Sequence, residues 1–242
     1  MFKRIIIKLS GEALANKHNK FDDEIINDIA RQVKNIMERG IEVGIVVGGG
    51  NFWRGRNADS KMDKVKADQI GMLATVMNAI YLCDCFSQNN IKAKVMTPFT
   101  IGNMTKQFSK ESALKNMKNN CVLIFAGGTG HPFFSTDTIT ALRACELEAD
   151  CIFYAKNIDG IYNCDPKINL NARKYKKISY EKIIKDNLNA IDIPAMSLTK
   201  NIKSVVFLLK AKNSLETVVL DERKIFEIGT LVMSEIEEEF YE

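Results

Sequence analysis

A run of apolar, β-branched residues that ends in three consecutive glycines constrains the fold of this chain more than any other feature. Residues 45–47 predict a strand buried on both faces, and Gly48, Gly49 and Gly50 follow it directly. Glycines lack a Cβ, so their N–H groups can approach a ligand closely, and phosphate is the usual ligand of such a turn. The alternative is a tight turn that needs glycine only for its positive φ. Arg54 adds a permanently charged fork that suits phosphate oxygens, which favours the ligand.

A second candidate phosphate site follows the first predicted strand. Residues 4–9 are rich in isoleucine, and Lys8 near their end is followed by Ser10 and Gly11. Lys8 is either a phosphate ligand or a lysine that extends from a strand end into solvent. The residues themselves leave both explanations open.

A third turn of this kind follows the apolar strand predicted for residues 121–126. The four residues at 127–130 are three glycines and Thr129. A helix is predicted to begin soon afterwards, near Thr136 and Asp137. Either Thr136 or Asp137 is a candidate N-cap of that helix. Hydroxyl groups beside glycine turns also suit a polar ligand, and this is the explanation we favour.

The order of the predicted elements indicates an α/β fold. Helices are predicted at residues 22–39, 65–89, 108–118, 138–149, 180–186, 194–201 and 214–220, and strands at 4–9, 41–47, 92–96, 121–126, 151–155, 204–209 and 229–233. Alternating strands and helices favour a parallel sheet, whose carboxyl strand ends collect at one ligand-binding edge. We expect one domain over residues 1–242. The long basic segment at 157–177 is either a lid or a solvated loop, and it would be the border between two lobes.

The composition excludes several classes of function. The 242 residues carry a net charge of +4, which is too small and too evenly spread for a nucleic-acid partner. Two histidines and six cysteines without C-x-x-C spacing exclude a zinc site, and scattered cysteines are typical of a reducing cytoplasm. The longest apolar run, at 121–126, is far shorter than a membrane span, and no signal-peptide pattern occurs. We therefore expect a cytoplasmic protein with no membrane partner, and interpret the acidic residues 235–239 as a solvated tail.

The familiar phosphate-binding and hydrolytic motifs do not occur in the chain. It contains no G-x-x-x-x-G-K-[ST], no G-x-G-x-x-G, no protein-kinase His-Arg-Asp and no G-x-S-x-G. These absences disfavour P-loop enzymes, dehydrogenases and serine hydrolases. Phosphoryl transfer on a different scaffold is the interpretation that fits the glycine turns.

Six motifs occur together along the chain. They are Lys8-Leu9-Ser10-Gly11-Glu12-Ala13-Leu14, Val47-Gly48-Gly49-Gly50-Asn51, Arg54-Gly55, residues Ala67 to Thr75, residues Gly128 to Asp137, and Asn157-Ile158-Asp159-Gly160-Ile161-Tyr162. This set resembles the bacterial uridylate kinases of the amino acid kinase superfamily, from Lys3 to about Met233. The blocks at 68–75 and 129–137 are specific to those kinases, whereas the first two motifs are shared across the superfamily.

The resemblance implies a three-layer α-β-α sandwich around a mainly parallel sheet. It implies phosphoryl transfer from ATP, accompanied by Mg²⁺, to UMP, giving UDP and ADP in UTP and CTP biosynthesis. Residues of about 1–150 would bind the acceptor and residues of about 151–242 would bind ATP. A homohexamer and feedback inhibition by UTP are also implied.

The resemblance assigns roles to individual residues. The catalytic residues would be Lys8, between the two nucleotides, and Asp192, which would hold that lysine in place. The ATP site would consist of Lys8, Leu9, Ser10, Gly11, Gly50, Arg54, Asn157, Tyr162 and Asp165. The UMP site would consist of Gly49, Asp68, Thr129, Gly130, His131, Pro132, Phe133, Phe134, Ser135 and Thr136. No protein side chain is assigned to a metal.

Two other functions compete with this interpretation. A kinase for an amino acid or carbamate on the same fold would need an arginine or amide cluster for a carboxylate in place of Asp68 and the 129–136 block. A non-catalytic nucleotide sensor would have lost Lys8 or Asp192, and both are present. Taken alone, Asp68 could equally be a partner for a helix dipole, and His131 is more typical of a turn residue than of a catalytic base.

Overall fold

The computed structural model describes residues 2–55, 59, 61–209 and 214–241, which form one eleven-stranded sheet with helices on both faces. The strands are β1 (Arg4–Leu9), β2 (Glu42–Val47), β3 (Ala93–Thr97), β4 (Lys106–Gln107), β5 (Val122–Phe125), β6 (Cys151–Lys156), β7 (Ile161–Tyr162), β8 (Lys174–Ile178), β9 (Lys203–Leu208), β10 (Gly229–Val232) and β11 (Glu239–Phe240). The helices are α1 (Asp23–Glu38), α2 (Lys64–Gln88), α3 (Lys110–Lys118), α4 (Thr136–Glu146), α5 (Tyr180–Lys185), α6 (Ile193–Leu198), α7 (Ser214–Leu220) and α8 (Glu222–Ile228), with a 3₁₀ turn at Gly11–Leu14.

The centre of the sheet is parallel, as the β-α-β order predicts. The strands lie in the order β11-β8-β10-β9-β6-β1-β2-β5-β3-β4, and β7 pairs with β8. From β9 across to β4 every neighbouring pair is parallel. The antiparallel pairs lie towards the other edge, where β10 pairs with β9 and both β7 and β11 pair with β8.

The two faces of the sheet build two separate cores, because successive side chains of a strand point in opposite directions. In β1, Ile5 and Ile7 belong to a core covered by α1, α2, α7 and α8, whereas Ile6 belongs to one covered by α3, α4, α5 and α6. All three side chains are fully buried. The predicted three-layer α-β-α sandwich is confirmed.

The segment at 157–177 is more ordered than a lid or a solvated loop. It contains β7, and its last residues begin β8, a strand near one edge of the sheet in which Tyr175 and Ile178 are buried. These two buried residues are three positions apart and separated by lysines, so the strand lacks the period-two pattern that would identify it in the sequence.

The acidic tail also enters the sheet, so its interpretation as a solvated end is wrong for its last residue. Glu239 begins β11 and forms ion pairs with Lys176 (2.9 Å) and Lys177 (3.0 Å) of β8. Phe240 stacks on Tyr175 with ring centroids 4.2 Å apart. Charge complementarity with a basic strand recruits the tail, and that partner is over 60 residues away in sequence.

Helix α2 is apolar on more than one face. By length and composition alone it could cross a membrane, but 44% of its most apolar window is buried inside the fold, as in the core helix of a globular domain. Residues such as Val76 and Phe86 pack on the sheet. On another face, large apolar side chains remain exposed: Ile70, Leu73, Met77 and Ile80.

Candidate active site

The central parallel strands bring the three predicted turns to one edge of the sheet. β1 pairs with β2 on one side and with β6 on the other, so that Lys8 is in register with Val46 and Tyr154. β5 pairs with the far side of β2. The strand ends at Lys8, Gly48 and Gly127 therefore share one edge, as predicted.

Close packing explains the triple glycine. None of Gly48, Gly49 and Gly50 has a positive φ, so the turn explanation weighed above is wrong for these three. A Cβ on Gly49 would lie 2.8 Å from the Cβ of Ala74 on α2, and a Cβ on Gly11 would lie 2.6 Å from the backbone nitrogen of Gly50. The loop after β2 thus lies against α2 and against the loop after β1 at distances that only glycine permits.

A buried amide holds the triple-glycine loop in place. Asn78 of α2 is fully buried and donates from Nδ2 to the carbonyl of Gly48 at 2.6 Å. It also exchanges two hydrogen bonds with the side-chain amide of Asn51, at 2.7 and 3.0 Å. Sequence reasoning missed Asn78, although a polar residue inside an apolar helix is a signal for such a role.

The second glycine turn does need left-handed backbone. Gly127, Gly128 and Gly130 have φ values of 79°, 59° and 87°. The backbone N–H of Gly127 donates to the hydroxyl of Thr75 on α2 at 2.7 Å, in a buried position. Helix α2 therefore supports both glycine turns.

Asp68 of α2 holds the loop that follows this second turn. Its Oδ2 accepts the backbone N–H of Phe133 at 2.7 Å, and Phe133 has a φ of 69°, which is unusual for a residue with a side chain. The hydroxyl of Thr129 bonds both the N–H and the carbonyl of His131 at 3.2 Å. Asp68 is thus more than a partner for the helix dipole, and His131 is an exposed turn residue.

A first cavity of about 560 Å³ lies over β2 and β5, between α2 and the start of α4. Strand residues Val46, Val47 and Phe125 form its floor. Predicted site residues in its lining are Gly49, Gly50, Arg54, Asp68, Phe134, Ser135 and Thr136. The last three predicted UMP-binding residues, at 134–136, therefore meet Asp68 and the triple glycine in one place, while those at 129–133 do not line the cavity.

A second cavity of about 630 Å³ lies on the other side of β1, over β6 and β9. Lys156 and Val206 line it from those strands, and the segment at 186–190 lines it from across. The predicted ATP-site residues Asn157, Tyr162 and Asp165 all contribute to its lining. Burial and the carboxylate of Asp159, 2.9 Å from the hydroxyl of Tyr162, raise the pKa of that hydroxyl to about 12.

A buried carboxylate links two lysines near the ends of β1 and β6. Asp137 Oδ1 lies 3.2 Å from Lys8 Nζ, and Asp137 Oδ2 lies 3.5 Å from Lys156 Nζ. Burial by itself would raise the pKa of Asp137, but Lys8 and then Lys156 outweigh it, so the pKa lies below its ordinary value. The carboxylate is therefore ionised and fixes both ammonium groups at the sheet edge.

An ion pair at the mouth of the first cavity orients Arg54. Its Nη2 lies 2.5 Å from Glu12 Oε1, and both side chains line the cavity. Sequence reasoning gave no role to Glu12. A carboxylate beside the guanidinium keeps that side chain at the cavity.

The fold and this edge of the sheet match a known family. The model of the amino acid kinase family matches residues 3–216, which is most of the chain. This chain belongs to the amino acid kinase family. The membership agrees with the sandwich architecture, and with glycine turns and a lysine at the carboxyl ends of parallel strands.

The chain is closely similar to proteins named uridylate kinase or UMP kinase, both in sequence and in structure. A uridylate kinase of Mycoplasmopsis pulmonis (strain UAB CTIP) is 44% identical over 227 residues, covering 91% of this chain and 93% of that protein. The crystal structure of a UMP kinase from Bacillus anthracis covers 100% of this chain and 99% of its own, with a TM-score of 0.93 and 33% identity. The crystal structure of a UMP kinase from Ureaplasma parvum covers 96% of this chain and 99% of its own, with a TM-score of 0.88 and 34% identity.

Within this family member, the acid that contacts Lys8 is Asp137 and not the expected Asp192. Asp192 caps α6 by accepting the N–H of Ala195 at 2.9 Å, and it accepts the hydroxyls of Ser135 and Thr138. The N-cap of α4 is Ser135, neither of the two candidates named from the sequence. Asp137 was considered only as a cap, because nothing in a local pattern shows that it faces β1.

Other predicted residues lie close to the site without lining the two cavities. Leu9 is fully buried in the core, so a ligand can reach only its backbone. The hydroxyl of Ser10 accepts the N–H of Ala13 at 3.2 Å and so begins the 3₁₀ turn that contains Gly11. Gly130 and Pro132 belong to the turn that Asp68 holds.

Gly50 and Arg54, which the resemblance assigns to the ATP site, line the first cavity and not the second.

Proposed function

We propose that this protein transfers a phosphoryl group from ATP to UMP, giving UDP and ADP, in the synthesis of UTP and CTP. The observation that carries the proposal is the position of β1, which separates two cavities of nucleotide size and carries Lys8 as its penultimate residue. Close similarity to proteins named uridylate kinase and UMP kinase supports UMP as the acceptor.

In this proposal UMP occupies the first cavity. Asp68 bonds the ribose hydroxyls, Gly49 contacts the phosphate, and the residues from Thr129 to Thr136 surround the base and the phosphate. The carboxylate of Asp68 already accepts a hydrogen bond from the loop at Phe133, which places it beside the proposed UMP-binding residues. The loop and Asp68 would then close on the nucleotide together.

ATP occupies the second cavity in this proposal. Asn157, Tyr162 and Asp165 contact the base and ribose, and Ser10 and Gly11 lie along the phosphates. Gly50 and Arg54 contact the donor from the first cavity, where the two phosphate chains meet. The acceptor-binding part is thus residues of about 1–150 and the ATP-binding part is residues of about 151–242, within one domain.

Lys8 stabilises the charge that develops on the transferred group. The transition state spreads negative charge over equatorial oxygens, so a fixed ammonium group and backbone donors lower the barrier without a covalent nucleophile. Asp137 holds the ammonium group of Lys8 in position, while Asp192 orients the hydroxyls of Ser135 and Thr138.

Mg²⁺ is the metal that this chemistry uses, carried by the ATP phosphates. Among the described residues no group of three or more His, Cys, Asp or Glu side chains comes together. That suits Mg²⁺, which is held by substrate phosphates and water with few protein ligands. When bound, it would neutralise phosphate charge beside Lys8.

The assembly, regulation and location of the enzyme complete the proposal. We propose a cytoplasmic homohexamer that UTP inhibits. The exposed apolar face of α2 supports subunit contacts, and six free cysteines suit a reducing compartment.

An acceptor panel tests the proposed reaction. Release of ADP from ATP and Mg²⁺ is measured with UMP, CMP, dUMP and a set of amino acids. We expect turnover with UMP well above that with any amino acid. Turnover with an amino acid alone would establish the competing carboxylate kinase, although Arg54, the arginine that lines the first cavity in the described part of the chain, is already paired with Glu12.

A further inference from the structure

Lys156 shares the carboxylate of Asp137 with Lys8, yet the proposed function gives it no part. It is the last residue of β6, the strand beside β1, and its Nζ lies 3.5 Å from Asp137 Oδ2. Two ammonium groups therefore face one carboxylate. The next acid, Asp192, already accepts hydrogen bonds from Ser135, Thr138 and Ala195. Lys8, Lys156 and Asp137 by themselves carry one positive charge in excess, and Asp192 acts on Lys156 through its charge without forming an ion pair with it.

The contacts of Lys156 leave one donor for a ligand. An ammonium group has three N–H donors. In the described part of the chain, one is directed at Asp137 and one at the carbonyl of Ala190. The Nζ also lies 5.7 Å from the centroid of the Tyr154 ring, and the side chain keeps 20% of its surface exposed, which leaves room for a ligand oxygen.

The position of Lys156 indicates that this ligand would be bound in the second cavity. Lys156 lines the second cavity together with Asn157 and Tyr162, and Ala190 belongs to the opposite wall. A nucleotide in this cavity with its base near Tyr162 must extend its phosphates towards the sheet edge to reach Lys8. Lys156 lies on that path, held by the same carboxylate as Lys8.

We infer that Lys156 is a second phosphate-binding lysine, which donates to the polyphosphate of the donor nucleotide while Asp137 keeps it aligned with Lys8. The inference deepens the proposed function and depends on it for the identity of the donor. In this arrangement Asp137 holds both lysines, Lys8 from β1 and Lys156 from β6, beside the phosphoryl group that is transferred. The competing explanation is that Lys156 only clamps the wall at Ala190.

Binding and turnover of three variants separate these explanations. Lys156→Met removes the charge, Lys156→Arg keeps it, and Lys203→Met is the matched control. Lys203 lies at the opposite end of the neighbouring strand β9 and is half exposed. Calorimetry with Mg²⁺ and a non-hydrolysable ATP analogue, with no acceptor present, gives donor affinity. ADP release with UMP gives kcat and KM, and calorimetry with UMP alone tests the first cavity.

We expect Lys156→Met to weaken analogue binding at least about tenfold and to lower kcat about 100-fold, as for loss of one donor to a transition-state oxygen. UMP binding should match that of Lys203→Met, and Lys156→Arg should recover part of the analogue affinity. A lower melting temperature is expected as well, because Asp137 loses one of its two lysines.

Analogue affinity and kcat of Lys156→Met within about twofold of the control would overturn the inference, since a fold-change that small is no lost phosphate contact. Equal losses of analogue and UMP binding would establish the clamp instead. If Lys156→Met does not fold, Lys156→Gln, which retains a donor for Ala190, is measured in its place. Absence of turnover by the wild-type enzyme with UMP would overturn the proposed acceptor, while analogue binding would still test Lys156.

Discussion

Asp137 carries one negative charge between two lysines that come from neighbouring strands. Its two oxygens are divided between Lys8 and Lys156, at 3.2 and 3.5 Å. A buried carboxylate is tolerated only when it is paired in this way, since its desolvation must be offset by nearby positive charge. Removal of the charge leaves two largely covered ammonium groups without their shared counterion.

We predict that Asp137→Asn lowers the free energy of unfolding by about 3 kcal/mol at pH 7, as for a buried pair that loses one partner. Urea denaturation measures this difference. The folded-state pKa of Asp137 lies below its ordinary value of 3.8, so its stabilisation is present above that pH. It is lost as the pH falls through the lower folded-state value.

The difference between wild type and Asp137→Asn should therefore shrink below about pH 4, where the Asp137 carboxylate of the unfolded chain begins to take up a proton while that of the folded protein is still ionised. A difference that stays constant down to the acid limit would mean that Asp137 is not held ionised by the lysines. The variant should also lose turnover while it still binds UMP, because its changed partner is Lys8 and not Asp68.

Helix α2 is the element on which both glycine turns depend. Thr75 and Asn78 bond the backbones of Gly127 and Gly48, and Ala74 packs against Gly49. The other face of the same helix leaves Leu73 exposed. One helix thus positions the first cavity and offers an apolar surface.

Two glycines of this region should respond in opposite ways to alanine. Gly49→Ala places a methyl group 2.8 Å from the Cβ of Ala74, so we expect a loss of about 2 kcal/mol in stability and a higher KM for UMP. Gly71→Ala adds a methyl group inside α2 at 3.7 Å from Trp53, an ordinary contact, and should gain about 0.5–1 kcal/mol. Urea denaturation of both variants measures the pair, and equal stability of the two would contradict the packing argument.

The exposed face of α2 should respond to charge. Leu73 is 52% exposed in the single chain, and an apolar side chain of that size on a helix face is typical of a subunit contact. We predict that Leu73→Asp reduces the mass measured by light scattering relative to wild type, while a monomer-sized particle keeps its helical circular dichroism. Gln88→Glu, at the end of the same helix, is the control. An unchanged mass for Leu73→Asp would place the contacts elsewhere.

At the scale of the whole molecule, one continuous sheet connects the two cavities, and residues distant in sequence close its edge. β11 pairs with β8, and the hydroxyl of Tyr241 donates to the carbonyl of Gly229 at 2.7 Å. Phe240 packs on Tyr175 in the same place. The tail therefore covers a strand edge that would otherwise be open to other chains.

We predict that Phe240→Ala lowers the free energy of unfolding by about 2 kcal/mol, less than for a fully buried ring because Phe240 remains partly exposed. Urea denaturation tests this. Glu239→Gln should leave stability close to that of wild type, since both of its ion pairs are exposed to solvent. A neutral Phe240→Ala would mean that the tail is dispensable for the sheet edge.

Much of the fold and part of the site could be predicted, because the signals concerned are local. Strands such as 4–9 and helices such as 22–39 follow hydrophobic periodicity, and glycine turns mark the ligand edge. The short strands β4, β7, β8 and β11 were missed, since polar strands at or near the sheet edges carry little apolar pattern. Helix α8 was missed as well.

By itself, the sequence determined the order of buried strands, the parallel sheet and the meeting of Lys8, Gly48 and Gly127 at one edge. These follow from short-range patterns and from the rule that parallel strands end on the same side. Only the tertiary structure decided which acid faces Lys8, why Gly49 must be a glycine, and where the acidic tail lies. Each of these depends on which distant side chains the sheet register and helix packing bring within about 4 Å, the range over which charges pair and atoms pack.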